Sequence, residues 1–285
     1  MIASTRYRAQ AEINRQSQLA QDIANLQESI STNKRLAAPS DDPVAANRIS
    51  QIRQDQADQA VWTANVKTAQ GVSDAADTSL GSIQTLLNRA KELMLSARND
   101  STSDADRVSI ANEMRGLVSD LNTYAQASDP TGRPLFPTTS VLQIPVSEGL
   151  SLPATASRAE VFDQVSTAAG TQTIAAILNN AITALGQTNV AQRTTGVNTS
   201  LDEIDAASAH VTQVRADQGV RGQHLDEAAD RLSNSADALT AERSGLENTD
   251  LTYALATYQA KQVSLQAAQT VFAQSHKSSL FDMLG

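Results

Sequence analysis

The sequence predicts a mainly α protein: a long antiparallel helical bundle or coiled coil with a small β-hairpin-containing central excursion. Three observations predict this class. Aromatic residues make up only 3% of the 285 residues, and a chain dominated by alanine, leucine and polar residues is typical of long helices. Apolar residues recur at alternating steps of three and four along most of the chain. Five of the seven prolines fall within residues 130–165, so irregular or β structure is expected only there.

The composition also restricts the function classes. The net charge is −9 without a basic cluster, which argues against a nucleic-acid partner and against binding to anionic membranes. There is no cysteine, so disulfides and thiolate chemistry are excluded. No apolar run of about 18 residues is present, so we expect no membrane-spanning segment. Residues 1–21 lack the apolar core of a cleaved signal peptide.

Residues 1–42 are predicted to be an N-terminal coiled-coil assembly segment, a helix that stops near residue 36 and is followed by a turn. The large apolar residues of this helix are spaced by four, three and four, which is the heptad step. They are Leu19, Ile23, Leu26 and Ile30. Residues 1–18 carry few large apolar side chains, so we expect them to be disordered in an isolated monomer.

A proline-flanked turn separates this helix from a much longer one. The turn reads Pro39-Ser40-Asp41-Asp42-Pro43. Each proline disfavours helix at the residue before it. Asp42 is suited to cap a helix that begins at Pro43, where the missing N–H costs nothing.

Residues 43–129 are predicted to be the N-terminal half of a helical rod. One helix over 43–98 carries a long apolar seam. The seam residues are Ala69, Val72, Ala76, Leu80, Ile83, Leu87, Ala90 and Met94. A further helix is expected from about residue 104 to 127, with Ser103 as its N-cap.

Residues 130–195 are predicted to form the central excursion. Two short edge strands, 141–146 and 150–152, are joined through Glu148-Gly149. A helix is expected over 175–185, and a polar loop over 186–199.

Residues 196–245 are predicted to be the C-terminal half of the rod, and residues 246–285 a C-terminal coiled-coil assembly segment. The seam of this last segment includes Leu255, Tyr258, Leu265 and Phe272, with Gln262 and Gln269 at the positions between them. These four apolar residues and the four of the first helix are the candidate inter-subunit contacts. Pairing of the two seams within one chain is the alternative, and the periodicity alone does not separate the two.

No catalytic, cofactor or metal motif is found. The sequence has no phosphate-binding loop, no nucleophile elbow and no His-Glu-x-x-His. His210, His224 and His276 are isolated from one another and from clustered carboxylates. We therefore expect no enzyme activity and no cofactor.

Several segments resemble a known family. The chain opens with Met1-Ile2-Ala3-Ser4-Thr5, and residues 31–36 read Ser-Thr-Asn-Lys-Arg-Leu before the proline-flanked turn. Residues 280–284 read Leu-Phe-Asp-Met-Leu. These segments resemble the bacterial flagellin superfamily, and most closely its hook-associated members at the hook–filament junction. Asn33 stands where that family usually has glycine, and filament flagellins usually lack both prolines of the turn.

The resemblance implies a secreted, extracellular structural protein of the flagellum, exported by the flagellar type III apparatus. Its terminal segments would fold on polymerisation with other copies, a neighbouring hook-associated protein and flagellin. A cytosolic export chaperone would bind the C-terminal segment.

The resemblance also leaves alternatives open. The chain could be a minor filament-forming flagellin, or a surface-displayed homologue acting as a binding protein or adhesin through residues 130–195. In some flagellins, positions matching Arg89, Leu93 and Glu113 contact a vertebrate innate immune receptor. Subunit packing is the plainer role for these three residues.

Overall fold

The computed structural model describes residues 2–36, 38–99 and 102–281, and it confirms a mainly α fold. Six helices are assigned within these residues: α1 (Ile2–Thr32), α2 (Pro43–Ala97), α3 (Asp104–Ala125), α4 (Ile174–Leu185), α5 (Val190–Glu247) and α6 (Leu251–Phe281). Four short strands and one π-helical turn lie between α3 and α4. They are β1 (Gln143–Ser147), β2 (Leu150–Pro153), the π-helix (Ala159–Asp163), β3 (Val165–Thr167) and β4 (Gly170–Gln172).

The chain divides into two compact units. The terminal unit comprises Met1–Ala57 and Ala236–Gly285, and the central unit comprises Asp58–Ser235. Both divisions lie inside long helices, α2 and α5, whereas the segment boundaries expected from the sequence lie at residues 42 and 245. Those boundaries describe assembly segments, and they remain a prediction.

The central unit is built on antiparallel contacts between α2 and α5. Side-chain hydrogen bonds join Gln84 to Ser208, Arg215 to Asp77 and Gln70 to Asp226, so α5 numbers rise as α2 numbers fall. The predicted α2 seam is confirmed, because every one of its eight residues is buried except the half-buried Val72. Burial of this seam supplies much of the apolar stabilisation of the unit.

The segment 130–195 has a larger part in the core than the sequence indicates. Phe136 and Phe162 meet edge to face with ring centroids 5.5 Å apart. They belong to the same apolar cluster as α2, α3 and α5, and α4 contributes Ile174, Ile177 and Leu178 to it. The segment is therefore packed into the central unit.

Two antiparallel hairpins are present in this segment. The hairpin β1–β2 confirms the predicted strands, and its turn places Gly149 at a φ of 72°. Val146, Ile144 and Leu152 pack with Trp62 in a second apolar cluster. The hairpin β3–β4 has strands of three residues, too short to be seen as an alternating pattern.

The polar loop predicted over 186–199 is wrong from Val190 onward, because α5 begins there. Asn189 provides the cap: its Oδ1 accepts a hydrogen bond from Gln192 N at 3.1 Å. The first turns of the helix are mostly exposed, but Val197 is buried and holds the start of the helix against the core.

A capping box begins α3, as the sequence predicts for Ser103. Ser103 Oγ accepts from Asp106 N at 3.1 Å, and the Asp106 carboxylate accepts from Ser103 N. Replacing Ser103 with alanine is expected to lower the free energy of unfolding by about 1 kcal/mol, measured by urea unfolding. Ser109→Ala, inside the same helix, is the matched control and is expected to leave it unchanged or raise it slightly. Equal losses in the two variants would show that the box contributes nothing.

Candidate assembly site

The turn after α1 is docked onto the chain between α5 and α6. Lys34 forms an isolated antiparallel β-bridge with Asn248. The Arg35 N–H donates to Glu247 O at 2.8 Å, and the Thr249 N–H donates to Asn33 O at 3.3 Å. We call residues 33–36, 38–42 and 246–250 the terminal joint. It fixes the register of two segments that are more than 200 residues apart in the chain.

The Arg35 side chain completes the terminal joint. Its Nε and Nη2 donate to Leu246 O at 3.3 and 3.1 Å. The last carbonyl groups of a helix have no partner within it, so a guanidinium at this place satisfies one of them at the end of α5. Nη2 also lies 3.7 Å from Asp42 Oδ2. Arg35 therefore links the end of α5 to the start of α2.

Asn33 has the left-handed conformation, with a φ of 54°. Glycine adopts this conformation without a steric penalty, and asparagine tolerates it better than most other residues. This explains why asparagine can stand where the resembling family usually has glycine.

The proline-flanked turn caps α2 as the sequence predicts. Asp42 Oδ1 accepts from Ala45 N at 3.0 Å, and the helix begins at Pro43. Asp41 Oδ2 accepts from Ala38 N at 2.8 Å, while Asp41 N donates to Ala38 O. Pro39 and Ser40 are exposed. The two adjacent aspartates are thus used in turn and cap geometry.

Two cross-helix ion pairs lie next to the terminal joint. Arg48 binds Glu242 through both of its guanidinium edge nitrogens, at 2.6 and 2.8 Å. Arg53 Nη2 lies 2.7 Å from Glu247 Oε1. The hydrogen bond from Arg48 lowers the pKa of Glu242 and raises the pKa of Arg48. These pairs hold α2 against the end of α5 within the terminal unit.

Helices α1 and α6 run antiparallel from the terminal joint. Asp22 forms an ion pair with Lys261, and both residues lie about the same distance along their helices from the joint. The sequence-predicted residues Leu19, Ile23, Leu26 and Ile30 are all half-buried, as are Tyr258, Leu265 and Phe272. Seven of the eight predicted inter-subunit contact residues are therefore partly buried already within one chain, where α1 and α6 pair. Their contacts with other subunits remain a prediction.

The seam of α6 differs from the predicted one. Its less exposed side is formed by Ala254, Thr257, Tyr258, Lys261, Leu265, Ala268 and Phe272. Leu255 is 46% exposed, and Gln262 and Gln269 are exposed. Ala254, Lys261 and Ala268, each one residue before Leu255, Gln262 and Gln269, lie on this side instead, the lysine through its apolar stem.

The terminal unit has little core of its own. Among its described residues, four apolar side chains are buried: Ala45, Ile49, Ile52 and Ala254. None of them is in α1. A groove of about 460 Å³, lined in part by Leu26, Tyr253 and Thr257, shows that the α1–α6 contact is not close-packed.

Helix α6 presents apolar side chains on several sides. Its exposed members are Leu251, Tyr253, Leu255, Val263 and Val271, with exposed fractions from 42% to 72%. At 100° per residue these positions spread around the helix, away from the seam with α1. A helix that is apolar on several sides is normally buried by more than one neighbour.

The predicted receptor-type residues do not share one exposed surface. Arg89 Nε donates to Glu113 Oε1 at 2.7 Å, and Arg89 Nη1 donates to Glu92. Leu93 is only 6% exposed and belongs to the main core. Arg89 and Glu113 therefore form an ion pair between α2 and α3 within one chain, and a role of these residues in subunit packing remains a prediction. Contact with an immune receptor is untested.

The histidines have separate surroundings. His210 Nε2 lies 2.8 Å from the carbonyl oxygen of Glu160, and His224 is exposed beside Glu227. The side chain of His276 lies outside the described part of the chain. In the described residues, no group of three His, Asp or Glu side chains could hold a metal ion. No helix within the described ranges is long and apolar enough to cross a bilayer.

Several residues of the site escape sequence reasoning. Arg35, Asn248 and Thr249 carry no pattern that reveals their partners, because each bond joins distant parts of the chain. Asn33 had a signal, since an asparagine in place of a family glycine indicates a positive φ.

Two family models match the sequence of this chain. The bacterial flagellin N-terminal helical region matches residues 3–140, and the C-terminal helical region matches residues 201–284. The chain belongs to the bacterial flagellin family. Flagellin-family proteins are structural components of the flagellum and not enzymes, and this holds for this flagellin-family protein.

Relatives cover nearly the whole of this flagellin-family protein. Flagellar hook-associated protein 3 of Escherichia coli (strain K12) is 28% identical over 290 residues, covering 90% of this chain and 91% of the relative. The protein of the same name from Salmonella typhimurium is 26% identical over 292 residues, covering 90% and 92%.

Solved structures support the same fold. A putative flagellar hook-associated protein from Vibrio parahaemolyticus matches with a TM-score of 0.66 and 19% identity, over 73% of this chain and 100% of that chain. Flagellar hook-associated protein-3 from Legionella pneumophila matches with a TM-score of 0.61 and 16% identity, over 70% and 98%.

Proposed function

We propose that this protein is a structural subunit of the flagellar hook–filament junction, which assembles through its terminal unit. Its neighbours are other copies of itself, an adjacent hook-associated protein and flagellin. The relatives named hook-associated protein 3, which match over 90% of the chain, support this assignment. The observation that carries it is the terminal unit, which buries little and exposes apolar side chains around α6.

The energetics favour assembly over independent folding of the terminal unit. Each large apolar side chain contributes roughly 1.5–3 kcal/mol when it is fully buried, and ordering the backbone of each residue costs about 1–2 kcal/mol. A paired α1 and α6 with one fully buried described side chain, Ala254, gains little against this cost. Neighbouring subunits supply the missing burial, so folding of the ends is coupled to assembly.

The charge distribution agrees with assembly through the terminal unit. The terminal unit contains 10 basic and 11 acidic residues, and the central unit contains 12 basic and 20 acidic residues. Nearly neutral ends can pack closely without net repulsion. The acidic central unit keeps the protein in solution.

The exposed apolar residues of α6 also call for protection before assembly. They lie on several sides of one helix, which leaves apolar surface open to unwanted association. A cytosolic export chaperone covers α6 in the cell, and the protein then leaves through the flagellar export apparatus to its extracellular position.

The alternatives are less well supported. A filament-forming flagellin is disfavoured by the relatives, which carry the name of a hook-associated protein. An adhesin role for residues 130–195 is disfavoured because their large apolar residues, including Phe136, Phe162 and Ile177, lie in the core.

Deletion of the gene in the parent strain tests the assignment. The expected result is hooks without filaments by electron microscopy and free flagellin in the medium, both reversed by the intact gene. Shortened but attached filaments would favour the minor flagellin. Normal filaments with loss of surface adhesion would favour the adhesin, and either result contradicts the junction role.

A further inference from the structure

A polar layer interrupts the apolar contact between α2 and α5 in the central unit. On one side, Ala76 and Val214 belong to the main apolar cluster. On the other side, Ala69 and Leu225 belong to the second cluster. Gln218 lies between them and is 1% exposed. A glutamine so deeply buried is uncommon and needs a physical reason.

The Gln218 carboxamide joins three segments of the chain. Its Nε2 donates to Ser73 Oγ of α2 at 2.8 Å and to the carbonyl oxygen of Ala154, just after β2, at 2.7 Å. Both Ser73 and Ala154 are buried. Gln218 Oε1 is also buried and accepts no hydrogen bond from the described protein atoms.

Stability alone does not explain this residue. Gln218 Oε1 is buried without a partner, which is unfavourable and offsets part of what the two donated hydrogen bonds contribute. Polar residues in apolar helix contacts are known instead to select one alignment of the helices at a cost in stability.

We propose that Gln218 is a specificity-determining residue that fixes the register of α5 against α2 and docks the segment after β2. A slide of one helical turn would place its carboxamide opposite Ala69 or Ala76, which have no side-chain acceptor. Both donated hydrogen bonds would then be lost in a dry environment. Any other register of α5 would therefore cost the free energy of burying the Gln218 carboxamide without hydrogen-bond partners. This inference is independent of the flagellar role.

Two exposed polar contacts between α2 and α5 discriminate less; the partly buried Gln59–Ser235 and Gln84–Ser208 contacts are not among them. Gln70 Nε2 donates to Asp226 Oδ1 at 2.7 Å, and Arg215 pairs with Asp77 at 2.8 and 3.0 Å. These contacts are open to solvent, where water replaces a lost partner at little cost. Gln70 thus offers a matched control for Gln218.

Distance measurement between two spin labels tests the proposal. The chain contains no cysteine, so cysteines introduced at Lys67 and Gln223, both exposed, are the only labelling sites. The parent protein is expected to give one narrow distance. Gln218→Leu is expected to add a second distance, from molecules in which α5 has slid along α2 by one helical turn, about 5.4 Å. Its urea midpoint is expected to fall modestly, because Ser73 Oγ and the Ala154 carbonyl oxygen each lose a donor.

Gln70→Leu, in the same labelled background, is expected to keep the single distance. Gln218→Met, with a longer and more adaptable side chain, repeats the test if leucine does not fit. A single unchanged distance in both Gln218 variants would overturn the proposal. Loss of cooperative unfolding in both would also overturn it, because Gln218 would then be needed for stability. A second distance in Gln70→Leu as well would show that the effect is not specific to the buried layer.

Discussion

Replacing Leu255 with aspartate is expected to abolish incorporation of the protein into the flagellum while leaving the folded monomer unchanged. Leu255 is 46% exposed and lies outside the less exposed side of α6 that contacts α1. In the monomer, the aspartate carboxylate would stay in water. At a subunit contact it would be buried without a partner, a penalty of several kcal/mol that recurs in every copy.

Two measurements are needed for this variant. Immunoblotting of purified flagella and motility of the complemented strain report incorporation, and circular dichroism reports the fold of the monomer. Leu95→Asp is the matched control, because Leu95 is a 42% exposed leucine on α2 of the central unit. It is expected to incorporate. Normal incorporation of the Leu255 variant would contradict the claim that this side of α6 contacts neighbouring subunits.

Replacing Leu80 with alanine is expected to lower the free energy of unfolding of the central unit by about 2–5 kcal/mol. Leu80 is fully buried in the middle of the α2 seam, among the residues of the main core. Its truncation removes apolar contacts and leaves a cavity that the surrounding helices fill only in part. Urea unfolding followed by circular dichroism measures the change.

Leu95→Ala makes the same chemical change on the solvent side of α2. Its expected cost is about 1 kcal/mol or less, because little apolar surface is lost there. A loss for Leu80→Ala no larger than for Leu95→Ala would mean that the α2 seam does not hold the core together.

The sequence predicts most of the central unit because its helices carry a strong period. The α2 seam from Ala69 to Met94 has apolar residues at every expected position, and burial follows that pattern. The Ser103 and Asp42 caps also follow local rules. These features depend on residues a few positions apart, so a single sequence contains them.

The terminal unit is predicted less well because its contacts are weak or distant. Helix α6 has apolar residues on several sides, so periodicity does not single out the seam with α1, and Leu255, a predicted inter-subunit contact, is exposed in the single chain. The bonds of Arg35 to Leu246 and Glu247 join residues more than 200 positions apart. Leu93 fits a surface motif by resemblance, yet α2 turns it into the core.

Limited proteolysis of the purified monomer, with the fragments identified by mass spectrometry, tests the central claim most directly. The account predicts a resistant fragment near residues 43–245 and rapid loss of both ends, because the terminal segments bury too little surface to be stable without neighbours. Sedimentation in the same buffer establishes that the sample is monomeric. Ends that resist cleavage as long as the central unit would contradict the account, because α1 and α6 would then be stable within one chain.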